Sequence, residues 1–427
     1  MRAGEDESNA KTKLARWVLA WALMGVWALS GALGCGDEDT SSSTQAYVEV
    51  APPEDSEAFF RLPWPNDTRR RPDGAVDLTG FPANTPIVQE YVLTFDGVIQ
   101  GFATQGAMYF RFSGPLDSES LPAGPAESLE GGASVFVVDV TSGSPTYGAR
   151  VPVQISYEES RQSVGAHTLA LLPFPGFALR RETTYAAVVT SAVLGADGKP
   201  VRRGRDMGKL LASKAPGGGG DLLGRAWEAY EPLRSYLADS SLAPKTVVAA
   251  SVFTTQDPVS LMGAIREVIY EDLPEPPASD TFDYMSQGGT YTLFEGTFQV
   301  PVFQAGEPPY RREGGEIQTD DQGRPILVRT EPLRFAVSIP ETPMPSEGWP
   351  VVLYAHGTGG DYLSFHRSGV ASNLAYVRDG SQVVGSFAVV GVDQVQHGTR
   401  CGELTCNPEM DFFNFNNPLA GRDNVRQ

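Results

Sequence analysis

Cysteine, histidine and positive charge are all scarce in this chain of 427 residues. It has three cysteines, four histidines, and 33 Lys and Arg against 52 Asp and Glu, for a formal net charge of −19. An acidic surface repels phosphate backbones, so nucleic acid is excluded as an expected partner. No metal or cofactor signature is visible among so few soft or imidazole ligands, and no cofactor is expected. Internal repeats are absent. Gly-x-Ser-x-Gly, the turn that presents a hydrolytic serine, occurs nowhere. What is abundant is glycine (46) and proline (33), which favour turns and short strands. At 41% hydrophobic and 10% aromatic residues the composition is globular, and the length allows two or three domains.

The N-terminus reads as an address. Lys11, Lys13 and Arg16 precede the apolar stretch 17–33, a positive region followed by a hydrophobic one. Ala32, Leu33 and Gly34 then lead to Cys35. The segment resembles a bacterial lipoprotein signal (residues 1–34) with its lipobox. The resemblance implies cleavage before Cys35, lipid on its thiol and a membrane anchor. Gly36 in place of Asp after the cysteine implies the outer membrane of the cell envelope, facing either the periplasm or the surface. A membrane-spanning anchor is the other reading, although about 17 residues is the short limit for a span. Residues 35–46 read as a polar tether.

Residues 47–255 show short strands between turn signals, at 107–112, 134–140, 167–173 and 184–190. These predict an antiparallel β-sandwich-like domain. Residues 213–220 form a breaker-rich insert. Helical spacing follows over 221–238, with Asp221 placed to cap. A buried strand is expected at 246–254 and a helix after Asp257 and Pro258. Residues 256–330 read as that helix plus a Pro/Gly-rich connector, with a hairpin near 291–300. Arg69, Arg70 and Arg71 read as a solvated turn. In 331–427 apolar strands at 334–340, 350–355 and 386–393 flank a helical stretch at 362–376, which predicts a parallel α/β sheet.

Directly after the strand 350–355 comes His356-Gly357-Thr358-Gly359-Gly360. Glycines let backbone approach a substrate closely, and a strand-to-helix loop leaves N–H groups free to face a developing oxyanion. In this context the motif looks like the oxyanion loop of α/β-hydrolases, which makes Gly357, Thr358 and Gly359 backbone donors and His356 and Gly360 site-lining. A connecting glycine turn is the plain alternative. His397, followed by Gly398 at a strand end, is a further site-lining candidate, and Asp393 either pins a loop or lines the site. Ser364, Ser368, Ser372 and His366 read as helix-surface or packing residues, and His167 as structural. Cys401 and Cys406 read as a short-loop disulfide in an exported protein, with a zinc pair as the rival.

A wider resemblance covers most of the chain beyond residue 46. Leu62-Pro63-Trp64-Pro65-Asn66-Asp67, Asp73-Gly74, Asp96-Gly97 and Gly101-Phe102-Ala103-Thr104 are similar to the N-terminal domain of bacterial extracellular (virulence-factor type) lipases. Residues 113–118, 134–139 and 253–258 continue it. Residues 414–427 resemble the segment that in such lipases and lysophospholipases leads into the helix before the nucleophile strand, where Arg422, Asp423 and Asn424 would be structural. The resemblance implies a carboxylic ester hydrolase acting on lipid or ester substrates, with residues 331–427 the first half of its α/β-hydrolase sheet. In that family serine, acid and histidine follow the oxyanion loop in this order. All three would therefore lie beyond Gln427, and no nucleophile is expected within the chain. The expectation is an incomplete hydrolase, inactive alone, with a second chain as a possible source of the remainder. A non-catalytic, lipid-anchored surface binding protein is the competing expectation.

Overall fold

The computed structural model describes residues 43–52, 56–161, 163–217, 222–276, 282–402 and 406–427. The expected signal, the lipidation site at Cys35, most of the tether and the capping Asp221 lie outside them.

β-Branched and small residues build the first half. The strands are β1 (Met108–Arg111), β2 (Val135–Asp139), β3 (Arg150–Val151), β4 (Val153–Arg161), β5 (Gly165–Pro173), β6 (Thr184–Thr190) and β7 (Val247–Thr254). They form two antiparallel sheets, ordered β3-β2-β6-β7 and β1-β5-β4. All of β2 is buried, and so is β7 up to its last residue, as unbroken Val/Ala/Phe runs require. β4 mostly exposes its side chains, so the outer sheet has a wet edge. One core takes Phe110 and Leu169 from one sheet and Phe136, Val188 and Phe253 from the other.

Two helices cover this core, Leu222–Ala229 and Glu231–Asp239. A single helix was expected over 221–238. Pro232 lacks the N–H that would continue the ladder, so the chain restarts at Glu231. Buried Tyr230 at the break donates to Ala250 O on β7 (2.7 Å) and accepts from Asn66 Nδ2 (2.9 Å). Asp257 Oδ1 accepts from Val259 N and Ser260 N ahead of the next helix, Ser260–Glu267, whose N-cap is Val259, so that helix starts later than the Asp257–Pro258 start expected.

The second half is a mixed sheet. Its strands are β8 (Asp283–Gln287), β9 (Tyr291–Val302), β10 (Arg329–Pro340), β11 (Val351–Tyr354) and β14 (Ala388–Val392), with a separate hairpin of β12 (Val377–Asp379) and β13 (Gln382–Gly385). The order is β11-β14-β10-β9-β8. Only β11 and β14 pair in parallel, with Val351 opposite Ala388; the other neighbours are antiparallel. The connector reading of 256–330 thus missed β8, while the hairpin expected near 291–300 falls on the 12-residue β9, whose long antiparallel partner is β10. Gly296 and Pro301 interrupt its alternation, and its pairing with β10 overrides them.

Between β11 and β14 run the helices Ser364–Arg367 and Val370–Ala375, split where Gly369 takes φ 79°. They bury Phe365, Ala371 and Ala375 against Leu293, Ala336 and Val389. Gly391 on β14 permits this approach, since a Cβ there would lie 2.5 Å from Tyr362 O and 2.6 Å from Phe365 Cδ1. β11 is an edge strand, and its Val351 and Leu353 are 64% and 72% exposed.

The helix Pro418–Arg426 is capped by Asn417, whose side chain accepts from Ala420 N. Asp423 is fully buried, accepts from Ile317 N (3.0 Å) and pairs with Arg422 and Arg426. Asn414, Asn417 and Asn424 donate to the carbonyls of Pro309, Gly314 and Phe412 respectively. The terminal segment is thereby bound to the long connection between β9 and β10. Among the described residues no helix is long and apolar enough to cross a membrane.

Candidate functional site

The loop 356–360 leaves the carboxyl end of β11, beside the turn 393–398 that leaves β14. Because the two strands are parallel neighbours, both turns emerge at one end of the sheet, where open α/β sheets place their ligands. Gly360 N–H donates to Gly357 O (3.0 Å), with Gly359 at φ 81°. A tight turn with positive φ at its third residue takes glycine there.

Two histidines lock the loop to the turn. His356 is buried; its Nδ1–H donates to Gly357 O (2.9 Å), and its Nε2 accepts from Gln394 N–H (3.2 Å). Gln394 Nε2 returns a bond to His356 O (2.7 Å). His397 Nδ1–H donates to Val395 O (2.8 Å), and its Nε2 accepts from Gly359 N–H (3.0 Å). Each ring faces a carbonyl through Nδ1 and an N–H through Nε2. Both are therefore neutral Nδ1–H tautomers with neither nitrogen spare. Burial pushes the His397 pKa down, with His356 adding to the effect and the Val395 carbonyl and Asp393 opposing it. The rings meet edge to face with centroids 4.9 Å apart, and Phe412 packs on His397 at 5.6 Å.

Of the three expected backbone donors, Gly359 spends its N–H on His397. Gly357 and Thr358 are exposed, and their N–H groups have no partner among the described residues. Nothing lies within 4 Å of where a Gly357 Cβ would sit. The loop thus offers two adjacent amide donors to solvent.

Asp393 is a pin rather than a reactive group. Fully buried, it accepts from Tyr362 N (3.0 Å), Arg334 Nε (3.0 Å) and Thr399 N (3.4 Å). Ser364 Oγ accepts from Asp361 N, while Ser368 and Ser372 bond helix carbonyls. His366 bonds Tyr291 OH and His167 bonds Tyr157 OH. Among the described residues no serine hydroxyl is hydrogen-bonded to a histidine ring.

Cys401 and Cys406 are disulfide-bonded, with Cα atoms 5.6 Å apart. Their sulfurs lie 3.0 and 4.0 Å from Gln396 O, so the bridge closes over the turn that carries His397. Among the described residues no group of three or more His, Cys, Asp or Glu is placed to hold a metal. Behind the turn lies a cavity of about 420 Å³, walled by Val300, Phe303, Leu333, Val395 and Phe412. Gln394 lines it and also bonds His356.

Sequence reasoning missed Gln394, Arg334 and Phe412. Their roles come from contacts across the fold, and a lone Gln, Arg or Phe carries no local signal for them.

No family model matches the chain, and no curated protein does. Among solved structures it is similar to the N-terminal part of the bacterial S-layer protein SbsC, at 11% identity and TM-score 0.18, over 60% of this chain and 44% of that one. A longer SbsC structure, rSbsC(31-844), matches at 11% identity and TM-score 0.18, over 68% of this chain and 31% of that one. The chain therefore spans less than half the length of either, and a likeness at this level carries no argument about fold or function.

Proposed function

We propose that this chain supplies the oxyanion-binding part of a serine-type carboxylic ester hydrolase of the extracellular lipase kind, exported and anchored to the outer membrane through lipid on Cys35. The observation that carries it is the pair of exposed, unpartnered amide groups at Gly357 and Thr358, held at the carboxyl end of a parallel strand by His356 and His397. Donors fixed before reaction stabilise a developing oxyanion without reorganisation at the moment of attack. The adjoining apolar cavity suits an acyl chain.

Among the described residues the nucleophile is the missing component. His356 and His397 have no free nitrogen to serve as base, and among the described residues no serine is hydrogen-bonded to either ring. A serine on a further strand, seated against the open edge of β11 beside the loop, would complete the site. In this reading a second polypeptide supplies that strand.

The test is hydrolysis of p-nitrophenyl butyrate and octanoate by the purified chain, alone and co-expressed with the polypeptide encoded downstream. Expected are no turnover alone, turnover with the second polypeptide, and its loss when the serine of that polypeptide's Gly-x-Ser-x-Gly is replaced by alanine. Turnover by the chain alone would overturn the division of the site. A downstream sequence without Gly-x-Ser-x-Gly in any frame, together with no activity, would leave the lipid-anchored binding protein as the better account.

A further inference from the structure

Residues 172–178, at the end of β5 and in the turn beyond it, carry no polar side chain. All but Pro173 are exposed, Leu172 by 38%, Phe174 by 40% and Phe177 by 54%. Single apolar residues are ordinary on a protein surface, whereas a contiguous run of them marks a surface that meets a partner. The Phe174 and Phe177 rings lie 6.3 Å apart, and neither meets another aromatic ring among the described residues.

The tip is held in shape. Phe174 N–H donates to Pro152 O (2.9 Å) and Phe177 N–H to Phe174 O (2.8 Å). Pro175 and Gly176, the latter at φ 91°, are the central residues of that turn, as a type II turn requires. Below it, buried Leu179 donates its N–H to Thr104 O (2.9 Å). Nothing lies within 4 Å of where a Gly176 Cβ would sit, so the crest of the turn is open. Two rings are thus presented with little left to order on binding.

Carboxylates already answer the two arginines at the base. Arg181 pairs with Asp257 (3.4 Å). Arg180 Nη1 donates to Thr146 Oγ1 (3.1 Å), whose hydroxyl donates to buried Asp139 (2.7 Å), and Glu182 comes next in the chain. The tip therefore offers apolar surface without a spare cation, on a chain of net charge −19.

We propose that residues 172–178 dock on a lipid bilayer, with Phe174 and Phe177 inserted at the boundary between headgroups and acyl chains of zwitterionic lipid. A turn this small falls short of the roughly 800 Å² that each partner buries in a stable protein interface. A bilayer asks only that apolar side chains reach about 5–10 Å into its surface. With lipid on Cys35, Ser43 lies eight residues further on and within about 29 Å of the bilayer. That last support rests on the anchored reading; the chemistry of the tip depends neither on it nor on the hydrolase reading.

The experiment is amide exchange followed by mass spectrometry on the full chain, with and without phosphatidylcholine vesicles, and flotation of the same mixtures. The apolar stretch 17–33 can carry the chain to vesicles by itself, so the deciding readout is exchange at the tip. Exchange should slow at least threefold in 172–178 and stay unchanged in β2 and β7. Phosphatidylglycerol vesicles should slow it less, because the acidic chain is repelled. Replacing both rings, Phe174→Ser with Phe177→Ser, should abolish the slowing and leave Tm unchanged. Phe177→Trp should keep it and add fluorescence that brominated phosphatidylcholine quenches. A chain that floats with vesicles yet exchanges in 172–178 as it does without them would overturn the proposal, as would one that does not float. Equal slowing in the double serine variant would overturn the role of the rings. Slowing that appears without vesicles as protein concentration rises would give the tip to a second copy of the chain and overturn the proposal too.

Discussion

At the residue scale, His397 acts as a splint. Its ring accepts from Gly359 and donates to Val395, and so joins two turns 38 residues apart. Burial holds its folded pKa below the ordinary 6.5, so the folded protein keeps it neutral while the unfolded chain takes up a proton. The linkage has one sign: stability falls as pH drops through about 6.5 and levels off once the folded pKa is passed. His397→Gln should cost about 1–3 kcal/mol at pH 8. Urea midpoints from pH 8 to 5 should fall less steeply in the variant than in the wild type. Parallel curves would mean that His397 does not titrate differently in the two states. Asp423 is the second residue of this kind. Its carboxylate gathers Ile317 N, Arg422 and Arg426 at a site without solvent. Asp423→Asn should cost about 2–3 kcal/mol in urea unfolding and speed amide exchange at Ile317 before the rest of the sheet.

At the element scale, glycine and edges decide what the sheet tolerates. Gly391→Ala would push a methyl group into Tyr362 O and Phe365, so about 1–3 kcal/mol of destabilisation is expected from overpacking, read as a lower urea midpoint. β11 raises the opposite issue. Its exposed Val351 and Leu353 lie on an unpaired edge, a surface that invites another strand. Leu353→Lys should therefore shift the protein from self-associated species toward monomer in sedimentation velocity, with the Tm little changed. The same elements explain what was legible beforehand. β2 and β7 announced themselves because their apolar runs stay buried along nearly their whole length. β9 was legible only as a hairpin near 291–300, because its full length through Gly296 and Pro301 comes from pairing with β10. The helix expected over 362–376 ran through Gly369, whose left-handed φ ends one helix and starts another. The glycine loop at 356–360 was legible from its position after an apolar strand. That Gly359 would turn its N–H onto His397 was not, since the bond exists only once β11 and β14 are side by side.

At the scale of the whole molecule, stability should be unevenly spread. The first half has one continuous core in which three strands, β2, β6 and β7, are buried on both faces along nearly their whole length, closed over by helices anchored through Tyr230. The second half rests on a smaller cluster around Leu293, Phe365 and Val389, with an open edge at β11 and a hairpin whose Val384 is 58% exposed. Local opening costs least where few apolar contacts hold the backbone and most where the core is closed. Amide exchange followed by mass spectrometry should therefore show β11 and the β12–β13 hairpin exchanging first, β10 and β14 next, and β2, β6 and β7 last. The candidate loop would belong to the early group. If a further strand seats on β11 as proposed, adding the polypeptide that bears it should slow exchange of β11 and the loop 356–360 at least tenfold and leave β2 and β7 unchanged. Uniform protection before the addition would contradict the uneven cores, whereas unchanged exchange after it would count against completion at that edge. The two results are separable, because the first concerns packing already present and the second concerns what the open edge accepts.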